Sequence, residues 1–194
     1  MTWKTKLVMA EDVIIHAHNY GVNRTPIFLE SSHYEYFLAE MAAQVSQTMG
    51  AHPLFYILMR DHYHIVAKQV RPFAVSEYID RVTGRYARHF NKTTLRTGHL
   101  FESPFKRQVI CSGISLLRFS YFVHTNAVRA KLVSDAEEWP YSSLHQYLGT
   151  ATAGFIDTGP VLTLVGDVQG YRDFLRGYIP WQPESIEKFI VHGA

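Results

Sequence analysis

The stretch Met59-Arg60-Asp61-His62-Tyr63-His64-Ile65-Val66 sets two histidines one residue apart at the head of an apolar run. Side chains alternate along a strand, so His62 and His64 share one face of a sheet while Tyr63 and Ile65 share the other. Two imidazoles one pleat apart can grip a single metal ion. The plainer alternative is a pair of polar residues on a solvated sheet face. Around them, Leu54 to Met59 and His64 to Lys68 read as two strands joined by a hairpin-like reversal at Arg60-Asp61-His62-Tyr63.

Working outward, Val13 to His18 is β-branched and apolar enough for a strand, and Asn19 to Thr25, containing Gly21 and followed by Pro26, reads as a loop. Ser31 or Ser32 is placed to cap a helix running to about Met49, with Phe37, Leu38, Met41, Ala42 and Val45 at three-to-four spacing and Gly50 as its stop. Val75 to Asn91 predicts a second helix with Ile79, Val82, Tyr86 and Phe90 on its core side. Phe105 to Ile110 predicts another strand, and Ser112 or Ser115 opens a third helix to about Asn126. Strand, helix, two strands, helix, strand is the order of an α+β, ferredoxin-like antiparallel sheet with helices on one face. The sequence from Trp139 onward reads as a helical tail, with Thr150 to Gly159 as a linker. This suggests a first unit over residues 1–148 and a helical C-terminal extension over 149–194.

At 194 residues and 47% hydrophobic content, the chain is long and apolar enough to bury one sizeable core. It contains neither an uninterrupted apolar run of spanning length nor the zones of a signal peptide, so a cytoplasmic protein is expected. The single Cys111 cannot form an internal disulfide and reads as a filler of small apolar space. Net charge is only +2, but its distribution is uneven. Arg81, Arg85, Arg88, Lys92, Arg96, Lys106 and Arg107 face only Glu102 in the same stretch, a local basic stripe suited to tracking phosphates.

Several segments together resemble the REP-associated tyrosine transposases, a branch of the single-tyrosine HUH (IS200-like) transposases. Besides the His-x-His block, these are Asn23-Arg24-Thr25-Pro26-Ile27-Phe28-Leu29, Arg96-Thr97-Gly98-His99-Leu100-Phe101-Glu102-Ser103-Pro104-Phe105-Lys106, His124-Thr125-Asn126-Ala127-Val128-Arg129-Ala130-Lys131-Leu132-Val133 and Trp139-Pro140-Tyr141-Ser142-Ser143. They occur in the family's order. The resemblance implies a ferredoxin-like fold and binding of single-stranded or hairpin DNA. It also implies metal-dependent cleavage and rejoining through a phosphotyrosine. His62, His64 and Asn126 would be the metal ligands, with Mg2+ or Mn2+ as the ion, and Arg129 would join the basic stripe in contacting DNA. Whether two copies form a homodimer is left open.

The family's nucleophilic tyrosine stands four residues before the asparagine, and there this chain has Phe122. Tyr121 stands next door and is the candidate catalytic residue. At about 100° per residue, five steps put it about 140° around a regular helix from Asn126, so a bulge would be needed to turn its hydroxyl to the ion. The alternative is a catalytically inactive protein that binds hairpin DNA or RNA. A small-molecule metallohydrolase is a weaker third reading, because no carboxylate-rich cluster accompanies His62 and His64.

Overall fold

The computed structural model describes residues 10–102, 104–151 and 154–180. Four strands, β1 (Val13–Tyr20), β2 (Ala51–Met59), β3 (His62–Gln69) and β4 (Lys106–Ile110), form one antiparallel sheet in the order β2-β3-β1-β4. Between them run helices α1 (Ser31–Thr48) and α2 (Ala74–Thr93). The architecture is the α+β, ferredoxin-like one that the strand and helix order predicts.

The pleat divides the sheet into two chemically different faces. Ile15 and Ala17 of β1, Tyr63, Ile65 and Ala67 of β3 and Leu58 of β2 pack against Phe37 and Met41 of α1 and Tyr78, Ile79, Val82 and Tyr86 of α2. This is the face the sequence assigns to helices. The other face is also covered, which the sequence reading did not foresee. After β4 come α3 (Gly113–His124), the single turns α4 (Asn126–Arg129) and α5 (Leu144–Tyr147), then α6 (Gly159–Val165) and α7 (Val168–Gly177). Leu117, Val123, Tyr147, Val161, Tyr171 and Phe174 from these helices form one core with Phe55, Ile57, Met59 and Val66 of the sheet. The helices after residue 149 therefore pack into a core shared with the sheet, and residues 181–194 of the expected extension lie outside those described.

Local details depart from expectation for identifiable reasons. β1 continues two residues beyond His18 because Asn19 and Tyr20 pair with Tyr63 and His62. Gly21 ends it, donating its N–H to the Asp61 carbonyl at 2.8 Å, and a Cβ there would lie 2.2 Å from the Thr25 carbonyl oxygen. Neither Ser31 nor Ser32 caps α1; Glu30 holds the N-cap position and accepts the Ser32 hydroxyl at 2.6 Å. Ser112 does cap α3, accepting the Ser115 N–H. That helix pauses at Thr125, whose hydroxyl donates to the Tyr121 carbonyl at 2.7 Å, before Asn126 starts a new turn. Cys111 is exposed rather than an apolar filler.

Candidate metal centre and nucleic-acid interface

The β1–β3 register sets His18 opposite His64 and Tyr20 opposite His62, with His16 one pleat further along β1. Four imidazoles and one phenol thus lie on one sheet face. The His16 ring centroid is 5.0 Å from that of His18 and 5.1 Å from that of His64, both stacked, and His18 lies 5.4 Å from His64. One nitrogen from each of His16, His18 and His64 falls within 4.8 Å of the others. His62 lies beside this trio, its ring edge-on to His64 at 5.2 Å and 4.7 Å from the Tyr20 ring.

The hydrogen bonds define what each ring offers. Asp61 Oδ1 lies 2.6 Å from His62 Nδ1, and because an ionised carboxylate only accepts, the proton sits on Nδ1 and the His62 Nε2 lone pair is left free. The turn that carries Asp61 is held in place by backbone bonds from Gly21, Ile27 and Phe28 to the Asp61 and Arg60 carbonyls. His16 Nε2 and His64 Nδ1 share one hydrogen at 2.9 Å. His18 Nδ1 is buried with no hydrogen-bond partner. Burial pushes the His16 pKa down to about 3 and that of His64 down to about 2, and it lowers His18 too, with Lys106 and His62 adding to the effect. All three imidazoles are therefore neutral at physiological pH, the protonation state in which histidine ligates metal. Neutral imidazoles and an orphaned buried nitrogen suit a divalent ion.

Helix α3 covers this face, and its register decides which ring meets the histidines. Phe119 lies 5.0 Å from the His16 ring and Phe122 lies 5.2 Å, edge-on, from that of His64. Tyr121, one residue earlier, is turned the other way: its ring packs at 4.9 Å against Tyr178 and 6.0 Å from Phe174. Burial raises the pKa of its phenol. The helical register thus presents Phe122 to the histidine face and Tyr121 to the C-terminal helices. Asn126 is half-buried at the first position of α4. His124, in the same sequence block, is a structural residue: it is fully buried, with Nδ1 2.7 Å from the Tyr171 hydroxyl and Nε2 2.8 Å from that of Ser143.

A family model for IS200-like transposases matches residues 10–114, more than half of the chain. The chain belongs to the IS200-like transposase family. Among solved structures, that of a REP-associated tyrosine transposase bound to a REP hairpin aligns with a TM-score of 0.60 at 12% identity, covering 79% of this chain and 89% of that one. At that identity the likeness is one of fold. No curated protein matches the chain.

On this IS200-like transposase fold, the basic residues of the sequence stripe separate into two groups. Arg81, Arg85, Arg88 and Lys92 recur along one exposed side of α2, in the layer on the far side of the sheet from the histidines. Arg85 is tied to Glu40 at 2.7 Å, and Arg107 Nη1 donates to Ser76 Oγ at 3.2 Å on that same side. Arg96 donates to Asn91 Oδ1. Only Lys106, paired with His18 across β1–β4, and Arg129, whose guanidinium lies 4.9 Å from the Phe122 ring, border the histidine face. Arg24 joins them, stacked 3.4 Å over Tyr20.

His16, His18, Tyr20 and Arg24 were missed as site residues from the sequence. A signal was available for the histidines: His16-Ala17-His18 repeats the spacing of His62-Tyr63-His64 on a second predicted strand. No helix among the described residues is long and apolar enough to cross a membrane.

Proposed function

We propose that this chain binds single-stranded or hairpin DNA on its histidine face, with a divalent ion as part of the site. The observation that carries the reading is the ring of cations, Arg24, Lys106 and Arg129, around imidazoles that are themselves neutral. Positive charge at the rim attracts phosphate, and lone pairs at the floor hold metal. Membership of the transposase family, and a fold shared with a structure that contains a REP hairpin, support DNA as the polyanion. Arg81, Arg88 and Lys92 on α2 offer a second phosphate track around the other layer. A cytoplasmic location goes with this reading, and a homodimer is compatible with it.

The family triad for the ion is His62, His64 and Asn126, and Mg2+ or Mn2+ would supply charge relief at the non-bridging phosphate oxygens. Asp61 favours that role for His62 by fixing its tautomer. Binding is the step this arrangement supports best. Tyr121 can attack a phosphodiester at the histidines only after its ring leaves Tyr178 and Phe174, and Phe122 carries no hydroxyl. A catalytically inactive hairpin-binding protein is thus the favoured form of the reading, and phosphotyrosine cleavage through Tyr121 is the second.

The test is a titration of labelled hairpin and blunt duplex DNA at several salt concentrations. Tighter hairpin binding, with affinity falling steeply as salt rises, is expected; equal affinities or no salt slope would overturn the proposal. Incubating hairpins with Mn2+ then separates its two forms. An adduct mapped to Tyr121 and lost in Tyr121→Phe establishes cleavage. No adduct in the wild type, with one appearing in Phe122→Tyr, establishes a binding protein that lacks its nucleophile.

A further inference from the structure

We propose that His16, His18 and His64 form an inner three-histidine site that takes a late first-row divalent ion, with Zn2+ as its ion. The proposal stands on the geometry of the sheet and does not depend on the DNA-binding reading. Antiparallel pairing fixes two of the ligands directly across from each other, His18 on β1 and His64 on β3, and the β1 pleat brings His16 to the same face. Three rings held by the backbone ladder of a central strand pair are preorganised, unlike three side chains on loops. Their nearest nitrogens already fall within 4.8 Å of one another, so small rotations bring them to the spacing of ligands on one ion.

The hydrogen-bonding account of the trio is incomplete without a fourth partner. His16 and His64 satisfy one another, but His18 Nδ1 is buried and unpartnered. An unpaired buried nitrogen is unfavourable, and no side chain among the described residues hydrogen-bonds to it. A metal ion satisfies His18 together with the pair that the shared hydrogen now links. On binding, the hydrogen between His16 Nε2 and His64 Nδ1 gives way to the ion, and the displaced proton moves to the other nitrogen of its own ring, so the imidazoles stay neutral.

The donor set selects the metal. Three imidazole nitrogens without a carboxylate suit Zn2+, Co2+ or Ni2+, whereas Mg2+ demands oxygen ligands and keeps its waters. Three histidines with one position left over is the ligand count of an open tetrahedral zinc site. Phe119 and Phe122 lie over His16 and His64 and limit the water that reaches it. The inner site and the triad of His62, His64 and Asn126 are alternatives for the same His64 ring. A neutral imidazole has one lone pair, so His64 serves either His16 and His18 or His62 and Asn126. Phe122 lies edge-on to His64, and His62, held at Nδ1 by Asp61, stands outside the trio.

The test uses the full chain stripped of metal by chelation. Titration with Zn2+ in a calorimeter, and with Co2+ followed by visible absorption, should give one ion per chain and the intense d–d bands of tetrahedral cobalt, displaced by Zn2+ but not by Mg2+. His18→Asn and His16→Asn should each weaken Zn2+ binding by more than about 100-fold, beyond the loss expected from an outer-shell change. His62→Asn and Asn126→Ala should leave it within about threefold. Because His16 is buried and its variant could fail to fold, the half-buried His18→Asn, checked by circular dichroism, carries the decision. Absence of stoichiometric Zn2+ uptake overturns the proposal. So does Zn2+ binding that survives His18→Asn and is lost in His62→Asn.

Discussion

The two faces of the β1–β3 ribbon are made from the same strands, residue by residue, yet they do different work. Odd positions, Ile15, Ala17, Tyr63 and Ile65, are buried among aromatic and aliphatic side chains of α1 and α2. Even positions, His16, His18, Tyr20, His62 and His64, form a polar floor on which burial keeps the His16, His18 and His64 rings neutral. With a period of two, a single-residue slip would exchange the faces, placing four imidazoles in the core and the core under α3. The register is held where it would slip most easily, at the strand ends, by the Gly21–Asp61 bond and the ladder pair Tyr20–His62. One face of this ribbon is thus mainly apolar, while the other interrupts its core with a row of imidazoles.

That division is broken most forcefully on the apolar side. Ile65→Ala should cost about 2–5 kcal/mol of stability in urea unfolding, since Ile65 is fully buried between the sheet and α1 and α2. His18→Asn on the opposite face should cost under about 1 kcal/mol in the absence of metal, because it removes an unsatisfied nitrogen and little packing. Equal losses would mean that the histidine face is structural.

Acid should distinguish the faces next. His16, His64 and His124 have folded pKa values of about 3, about 2 and about 3, below the ordinary 6.5. The unfolded chain binds protons on these rings that the folded chain excludes, so their contribution is present above about 6.5 and is lost as pH falls below it. Each contributes about 1.4 kcal/mol of destabilisation per pH unit in that window. Chemical denaturation between pH 7 and 5 should therefore show a steep loss, and His16→Asn should make the slope shallower. A slope unchanged by this substitution would indicate that the ring is already protonated in the folded state.

The smallest expected effect concerns the outer layer. Arg85→Ala removes the ion pair with Glu40, but the arginine is 51% exposed, so the stability cost should stay below about 1 kcal/mol. A larger loss would assign the α2 basic stripe a structural role instead of leaving it available for phosphate.

Much of this organisation was legible in the sequence because it follows from local chemistry. Apolar spacing at Ile79, Val82, Tyr86 and Phe90 marked α2, and the His62-Tyr63-His64 alternation placed two imidazoles on one face. What was not legible depends on pairing. Asn19, Tyr20 and Gly21 look like a loop by composition, and only the ladder to Tyr63 and His62 makes Asn19 and Tyr20 strand. For the same reason His16 and His18 could not be joined to His64 before the β1–β3 register was known. The seven basic residues from Arg81 to Arg107 read as one stripe because they are close in sequence, but α2 carries Arg81, Arg85, Arg88 and Lys92 on the far side of the sheet from Lys106. Tyr121 followed helical geometry: about 140° from Asn126 around a regular turn, it points to Tyr178. Ser143 holds the N-cap position of α5, yet its hydroxyl serves the Tyr56 backbone and the His124 ring, partners that only the tertiary fold supplies.

The central claim, that the histidine face is where nucleic acid is engaged, is tested most directly by the hairpin-DNA affinity of Lys106→Glu/Arg129→Glu. Both side chains border the imidazoles, and reversing their charge should leave the urea midpoint near that of the wild type. The account predicts hairpin binding at least about 30-fold weaker at moderate salt, with a shallower salt dependence. Unchanged affinity in that variant, with a comparable loss in Arg81→Glu/Arg88→Glu instead, would place the DNA on the α2 layer and contradict it.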